Sequence, residues 1–162
     1  MIPTELKKII KRLSNLDSLV RALIFAIYFS LFLLALYAPL VQHFMGYPSG
    51  ENVYTMLSPI CHQYPTRCFW TFDRPWALCA RCSSAYGAIA LSAVFIRLKA
   101  SFIKRSSIGL LLISLAAIDP LLQLLGYYES TNFLRLLTGI VGGIGVFLFL
   151  YPIPLKYRES NK

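Results

Sequence analysis

No charged residue occurs between residues 22 and 50 of this chain, and acidic residues are scarce throughout, seven against sixteen basic ones. Only two histidines are present, and no cysteine lies outside residues 61–82. There is no Gly-rich phosphate loop, no His-Glu-x-x-His pair and no serine nucleophile elbow, so none of the reactions those motifs announce is indicated. The uncharged stretch is long enough to cross a hydrocarbon core, which takes about 20 helical residues. No small-x-small cleavage site follows Tyr37-Ala38-Pro39, and the apolar part is too long for a signal h-region. The sequence therefore predicts a retained helix.

What is present is largely apolar. Of 162 residues, 57% are hydrophobic, and the mean hydropathy of +0.60 is well above that of a soluble domain. Four spans are expected, at residues 22–42, 75–96, 108–126 and 133–151, if one ionisable residue is tolerated near the end of each later span: Arg81, Asp119 and Arg135. Residues 1–20 read as an amphipathic interfacial helix, with Leu6, Ile9, Ile10, Leu13, Leu16 and Val20 opposite Lys7, Lys8 and Lys11. The expected fold is all-α: a single integral membrane domain, a four-helix bundle over residues 1–162. Its partner is the lipid bilayer, and a transport pathway through such short spans would need a homo-oligomer.

Charge sets the expected orientation. Twelve of the sixteen basic residues fall in the N-terminal segment, in the loop with Arg97, Lys99, Lys104 and Arg105, or in the tail with Lys156, Arg158 and Lys162. Positive loops stay inside, which predicts the cytoplasmic membrane with both termini cytoplasmic. The same bias explains the net charge of +9 without nucleic acid. The loop at residues 44–74 then faces out, without clear secondary structure, and loops of that length are usually functional. Its aromatics, among them Trp70, Tyr47, Tyr54 and Tyr64, suit the membrane interface, and His43 reads as interfacial too.

All four cysteines, Cys61, Cys68, Cys79 and Cys82, and His62 lie within 22 residues. Soft ligands grouped this closely can hold a metal, close disulfides or exchange thiols. With Pro75 opening the second span and Asp73 as its cap, Cys79 and Cys82 would share one helical face, with Tyr86 continuing the stripe; alternatively Cys-x-x-Cys forms a knuckle and the helix starts at Ser83 or Ser84. Asp119, one turn before Gln123, needs a partner within a span, and Arg135 is the expected one. Gly139 and Gly143 form a GxxxG pair that lets helices approach. Arg67, Arg81, Asp119, Gln123, Glu129 and Arg135 thus gather at the cysteine end, and the inner leaflet is expected to hold almost nothing comparable.

These residues resemble a family of small prokaryotic integral membrane proteins, the domain of unknown function 2085. The likeness rests on Cys61-His62-Gln63 with Pro65 and Arg67, on Cys79-Ala80-Arg81-Cys82 with Tyr86 and Gly87, and on Asp119 with Gln123. It continues through Glu129-Ser130-Thr131-Asn132, Arg135, Thr138 and Gly139. The chain departs from the pattern at Cys68, where Ser is common, at Pro120, where Gly is usual, and at Tyr128, where Arg often precedes Glu-Ser. The resemblance implies a central quartet of Cys61, His62, Cys79 and Cys82.

Two function classes follow. The quartet suits tetrahedral zinc, or an iron–sulfur centre as the alternative. In an enzymatic version Asp119 or Glu129 serves as base, and Arg67, Arg81 and Arg135 hold an anionic or lipid-phosphate substrate. The other class is thiol–disulfide exchange, with Cys79 attacking, Cys82 resolving and Cys61 with Cys68 as a second pair. Against both stands a bundle merely stapled by disulfides.

Overall fold

The computed structural model describes residues 4–96 and 102–151, with side-chain surroundings from residue 15 and from residue 103 onward in the two segments. Arg97, Lys99, Lys156, Arg158, Lys162 and the lead-in side chains at residues 6–13 lie outside the described residues. The elements run α1 (Thr4–Met45), α2 (Glu51–Leu57), a 3-10 turn (Pro65–Arg67), β1 (Cys68–Thr71), β2 (Arg74–Cys79), α3 (Ala80–Phe95), α4 (Phe102–Leu124) and α5 (Asn132–Leu150).

The expected interfacial helix and first span are one helix. No Gly or Pro interrupts residues 4–38, so nothing breaks α1 before Pro39, which is itself accommodated inside the helix. Among the described residues three helices are long and apolar enough to cross a membrane: Asn15–Met45, Ile103–Leu124 and Asn132–Leu150. The expected second span differs. Residues 74–79 form the second strand of a hairpin, and only 16 residues remain helical in α3. At 1.5 Å per residue that is about 24 Å, short of a hydrocarbon core of about 30 Å.

The hairpin also replaces the featureless loop that was expected. Phe72 and Asp73 connect the strands with φ of 51° and 57°, the left-handed pair that matches strand twist in a two-residue turn. Asp73 is therefore a turn residue and not a helix cap. Phe72 is held there by stacking on His43, ring centroids 4.3 Å apart. Strand β2 lies against α1 because Ala35 and Ala38 on α1 and Ala77 and Leu78 on β2 are all fully buried. Small side chains bring the two backbones close enough to share that core.

The helices pack in the order α1, α3, α5, α4. Gly139 of α5 meets the Arg81 carbonyl and Ser84, and Gly143 meets Ala85 and Ala88. Further along, Phe147 and Leu148 share a core with Ala93. These contacts advance together, so α3 and α5 run parallel, and the first turn of α3 sits two turns below the start of α5. On the other side of α5, a Cβ on Gly109 would lie 2.8 Å from the Gly145 carbonyl, so α4 crosses there at backbone contact. The outward residues of α4, including Leu110, Leu111, Leu115, Ile118 and Leu121, are exposed, as a lipid-facing surface requires.

The end remote from the cysteines is not bare, contrary to expectation. Arg21 Nη1 donates to the carbonyls of Ala93 at 2.9 Å and Ile96 at 2.8 Å, and Arg105 donates to that of Tyr151. Tyr151 donates its hydroxyl to Asp17, which also pairs with Arg21 at 3.4 Å. The last carbonyls of a helix lack intrahelical donors, and two guanidinium groups supply them at the ends of α3 and α5.

The glycine contacts predict the response to added bulk. Gly139→Val or Gly143→Val drives a side chain into the α3 backbone and costs at least ~1–3 kcal/mol. Thermal unfolding in detergent should show a large loss for both and little for Leu137→Val, which lies on an exposed face of the same helix. Equal melting of all three would contradict the packing.

Candidate metal centre

Three separate elements deliver the thiols. Cys61 closes the turn after α2, its N–H bonded to the Leu57 carbonyl at 3.2 Å. Cys79 ends β2 and is the residue before the first helical turn of α3, with extended backbone at ψ 159°. Cys82 lies in that first turn. The expected shared helical face is thus replaced by a strand-to-helix junction, with the helix starting at Ala80 and neither at Pro75 nor at Ser83. The three sulfur atoms lie within 4.8 Å of one another. An ion about 2.3 Å from each thiolate needs sulfurs about 3.8 Å apart in a tetrahedral shell, so closure by less than an ångström or so forms one face of such a site.

Local donors favour thiolate. The Cys79 backbone N–H donates to Cys61 Sγ at 3.2 Å. The Cys79 and Cys82 thiols hydrogen-bond to the same sulfur, and the backbone N–H groups of Cys79 and Gln63 add to them, holding the Cys61 pKa far below the ordinary thiol value. Cys79 is pushed the other way, first by its hydrogen bond to Cys61. The shared hydrogen bonds thus favour the thiolate at Cys61. The positive end of the α3 dipole adds in the same sense.

Cys68 and His62 are not part of the trio. Cys68 pairs across the hairpin with Cys79, is wholly buried, and burial pushes its thiol up to about 12. His62 is exposed and stacks on Tyr64, centroids 6.0 Å apart. It lines the same cavity as the trio, a hollow of about 370 Å³ that also reaches Gln63, Arg67, Arg81 and Arg135. Of the quartet that the resemblance implies, the structure brings the three thiols together, and His62 lines the hollow beside them.

Asp119 pairs with Arg81, where Arg135 was expected. Arg81 Nη2 bonds one Asp119 oxygen and the Tyr128 hydroxyl donates to the other. Depth explains the choice: Arg81 enters α3 two turns below the start of α5, level with Asp119 on α4. Arg135 instead donates to Asn132 Oδ1 at 2.8 Å, and to Gln123 Oε1 at 2.9 Å with the amide oriented to accept. The same Gln123 oxygen accepts the Ser130 N–H at 2.8 Å. Asn132 Nδ2 then donates to the Cys68 carbonyl at 3.1 Å, tying α5 to the hairpin. Sequence reasoning missed the roles of Tyr128, Gln123 and Asn132 as a frame. Glu129 stays exposed at the rim of an adjoining cavity.

Two expectations follow. In a double-mutant cycle, Asp119→Asn and Arg81→Gln should each destabilise by roughly 3–5 kcal/mol, and the double variant by much less than their sum; additive losses would deny the pair. In metal-free protein near neutral pH, peptide mapping after iodoacetamide should find label first on Cys61, where thiolate is favoured, and little on Cys68, whose raised pKa and burial keep it protonated and covered. Equal labelling of Cys68 would contradict the geometry.

The predicted membrane protein family DUF2085 matches residues 61–149, the stretch that contains the whole centre and its frame. An uncharacterised protein of Methanocaldococcus jannaschii is 37% identical over 106 residues, 62% of this chain and 67% of its own. Another, from Methanothermobacter thermautotrophicus, is 39% identical over 90 residues, 54% of this chain and 80% of its own. No solved structure matches.

Proposed function

The chain belongs to the predicted membrane protein family DUF2085, and we propose that its thiol trio is a metal centre held at the extracytoplasmic end of a bilayer-embedded bundle. The observation that carries this reading is the convergence of Cys61, Cys79 and Cys82, from a turn, a strand end and a helix start, to within 4.8 Å. Three thiolates with one open side suit zinc, and iron–sulfur ligation is the alternative. When bound, zinc supplies Lewis acidity to whatever occupies the open position. Both termini lie in the cytoplasm in this reading, and α3 with the end of β2 makes a shortened fourth crossing.

For acid–base work the recess offers His62 and Glu129. Asp119 is not assigned that role in this reading, because both its oxygens are engaged by Arg81 and Tyr128. It positions the Cys-x-Arg-Cys turn. A dithiol reading competes, since the same proximity suits exchange between Cys79 and Cys82. A third thiol within reach of both favours metal, because a redox pair uses two.

Elemental analysis decides between them. Protein purified in mild detergent under reducing, oxygen-free conditions should carry about one zinc per chain, or a few irons, and Cys61→Ser, Cys79→Ser and Cys82→Ser should each lose it. Cys68→Ser should retain it. Metal-free wild type that instead shows a Cys79–Cys82 disulfide on oxidation would replace this reading with thiol exchange.

A further inference from the structure

The hollow beside the thiols continues into a second one. Cavities of about 370 Å³ and 420 Å³ share Tyr64, Arg67 and Arg135, so they are two lobes of one recess. The first lobe reaches the cysteines. The second opens between the 3-10 turn and the start of α5, where Ser130, Thr131 and Asn132 line it.

Charge in this recess is one-sided. Arg67, Arg81 and Arg135 line it, and Glu129 is the one acidic lining residue. Asp119 neutralises Arg81, but among the described residues neither Arg67 nor Arg135 has a carboxylate partner. Arg135 is 5% exposed, and its Nε is buried without an acceptor, as is that of Arg81. A buried guanidinium with an unmet donor carries a desolvation penalty that an anion relieves. The second lobe also meets the N-terminal end of the 19-residue α5, where the helix dipole favours negative charge. A divalent ion on three thiolates leaves a single negative charge, which one of the two unpaired guanidinium groups balances. The other remains.

We propose that this recess binds a phosphate group, held by Arg67 and Arg135 at the start of α5, with the rest of its bearer directed toward the thiol trio. Guanidinium forks match the tetrahedral oxygens of phosphate and can bond two at a time. The inference deepens the metal-centre reading by naming the ligand class brought to it, yet phosphate binding is measurable without reference to the metal. A lipid headgroup and a free phosphate offer the same chemistry here, and they are separated by experiment.

The full-length protein in mild detergent is titrated calorimetrically with inorganic pyrophosphate, with short-chain phosphatidic acid, and with the matching diacylglycerol as phosphate-free control. Saturable binding of both phosphate probes assigns the site to the phosphate group alone; binding of phosphatidic acid without pyrophosphate assigns it to a lipid headgroup. In either case Arg67→Gln should weaken binding at least tenfold, Arg67→Lys less, and Glu129→Gln should tighten it, all at unchanged metal content. Arg67 sits on a half-exposed turn, and the Lys variant guards against misfolding. No saturable binding of either phosphate probe, equal binding of diacylglycerol, or indifference to Arg67→Gln overturns the proposal. Loss of metal in Arg67→Gln together with absent phosphate binding does so too, because the arginine would then only balance the thiolates. Phosphate binding by a wild type that holds no metal would leave this site standing and remove the metal reading.

Discussion

The ion pair between Arg81 and Asp119 is the constraint on which the cysteine end depends. Arg81 stands between Cys79 and Cys82, so its guanidinium cannot reach α4 without fixing the junction where β2 becomes α3. Asp119 is 5% exposed and lies in a helix whose other faces meet lipid. A carboxylate within a span is unfavourable by at least ~2.5 kcal/mol unless it is partnered, and here both oxygens are. The pair thus binds three features into one: the depth of α4, the start of α3 and the direction of two thiols. Tyr128 closes the arrangement from the loop that leads into α5.

Helix spacing supplies the second constraint. Arg81 meets Asp119 across the bundle because α5, which lies between α3 and α4, is thin at the relevant turns. Gly139 and Gly143 admit the α3 backbone on one side, while Gly142 and Gly145 admit α4 on the other. Buried Ser83, Ser84, Ala88, Ala90 and Ala93 keep α3 equally slim. In a bilayer, where apolar burial drives little association, such close approach and interhelical hydrogen bonds are what hold helices together. At the far end Arg21 and Arg105 finish the last carbonyls of α3 and α5, so both ends of this core are closed by arginine.

Much of this was legible in the sequence, for identifiable reasons. Long apolar runs marked α1, α4 and α5, since helix length follows directly from membrane thickness. Cys-x-x-Cys and the nearby Cys61 marked the site, because few residue types bring that chemistry. Gly139 and Gly143 were readable as close packing. The hairpin was not readable: Pro75 mimics a helix start, and the turn at Phe72-Asp73 lacks the glycine that usually announces left-handed backbone. The Asp119 partner was misjudged because charge and order along the chain say nothing of depth, and Arg135 lies about one turn above Arg81. His62 entered the expected quartet through the family resemblance; its exposed ring stacks on Tyr64, at the hollow that the thiols also line. Arg21 was counted as charge of the N-terminal segment and Arg105 as loop charge, although both lie against helix ends.

The central claim is that three thiols from three elements form one metal site with an open fourth side. X-ray absorption at the metal edge of the detergent-purified, reduced protein tests it most directly. The account predicts a zinc spectrum fitted by three sulfurs at about 2.3 Å and one lighter oxygen or nitrogen neighbour. A fourth sulfur would bring Cys68 into the shell and contradict the open side. No metal edge at all from protein kept reduced and oxygen-free would contradict the centre itself.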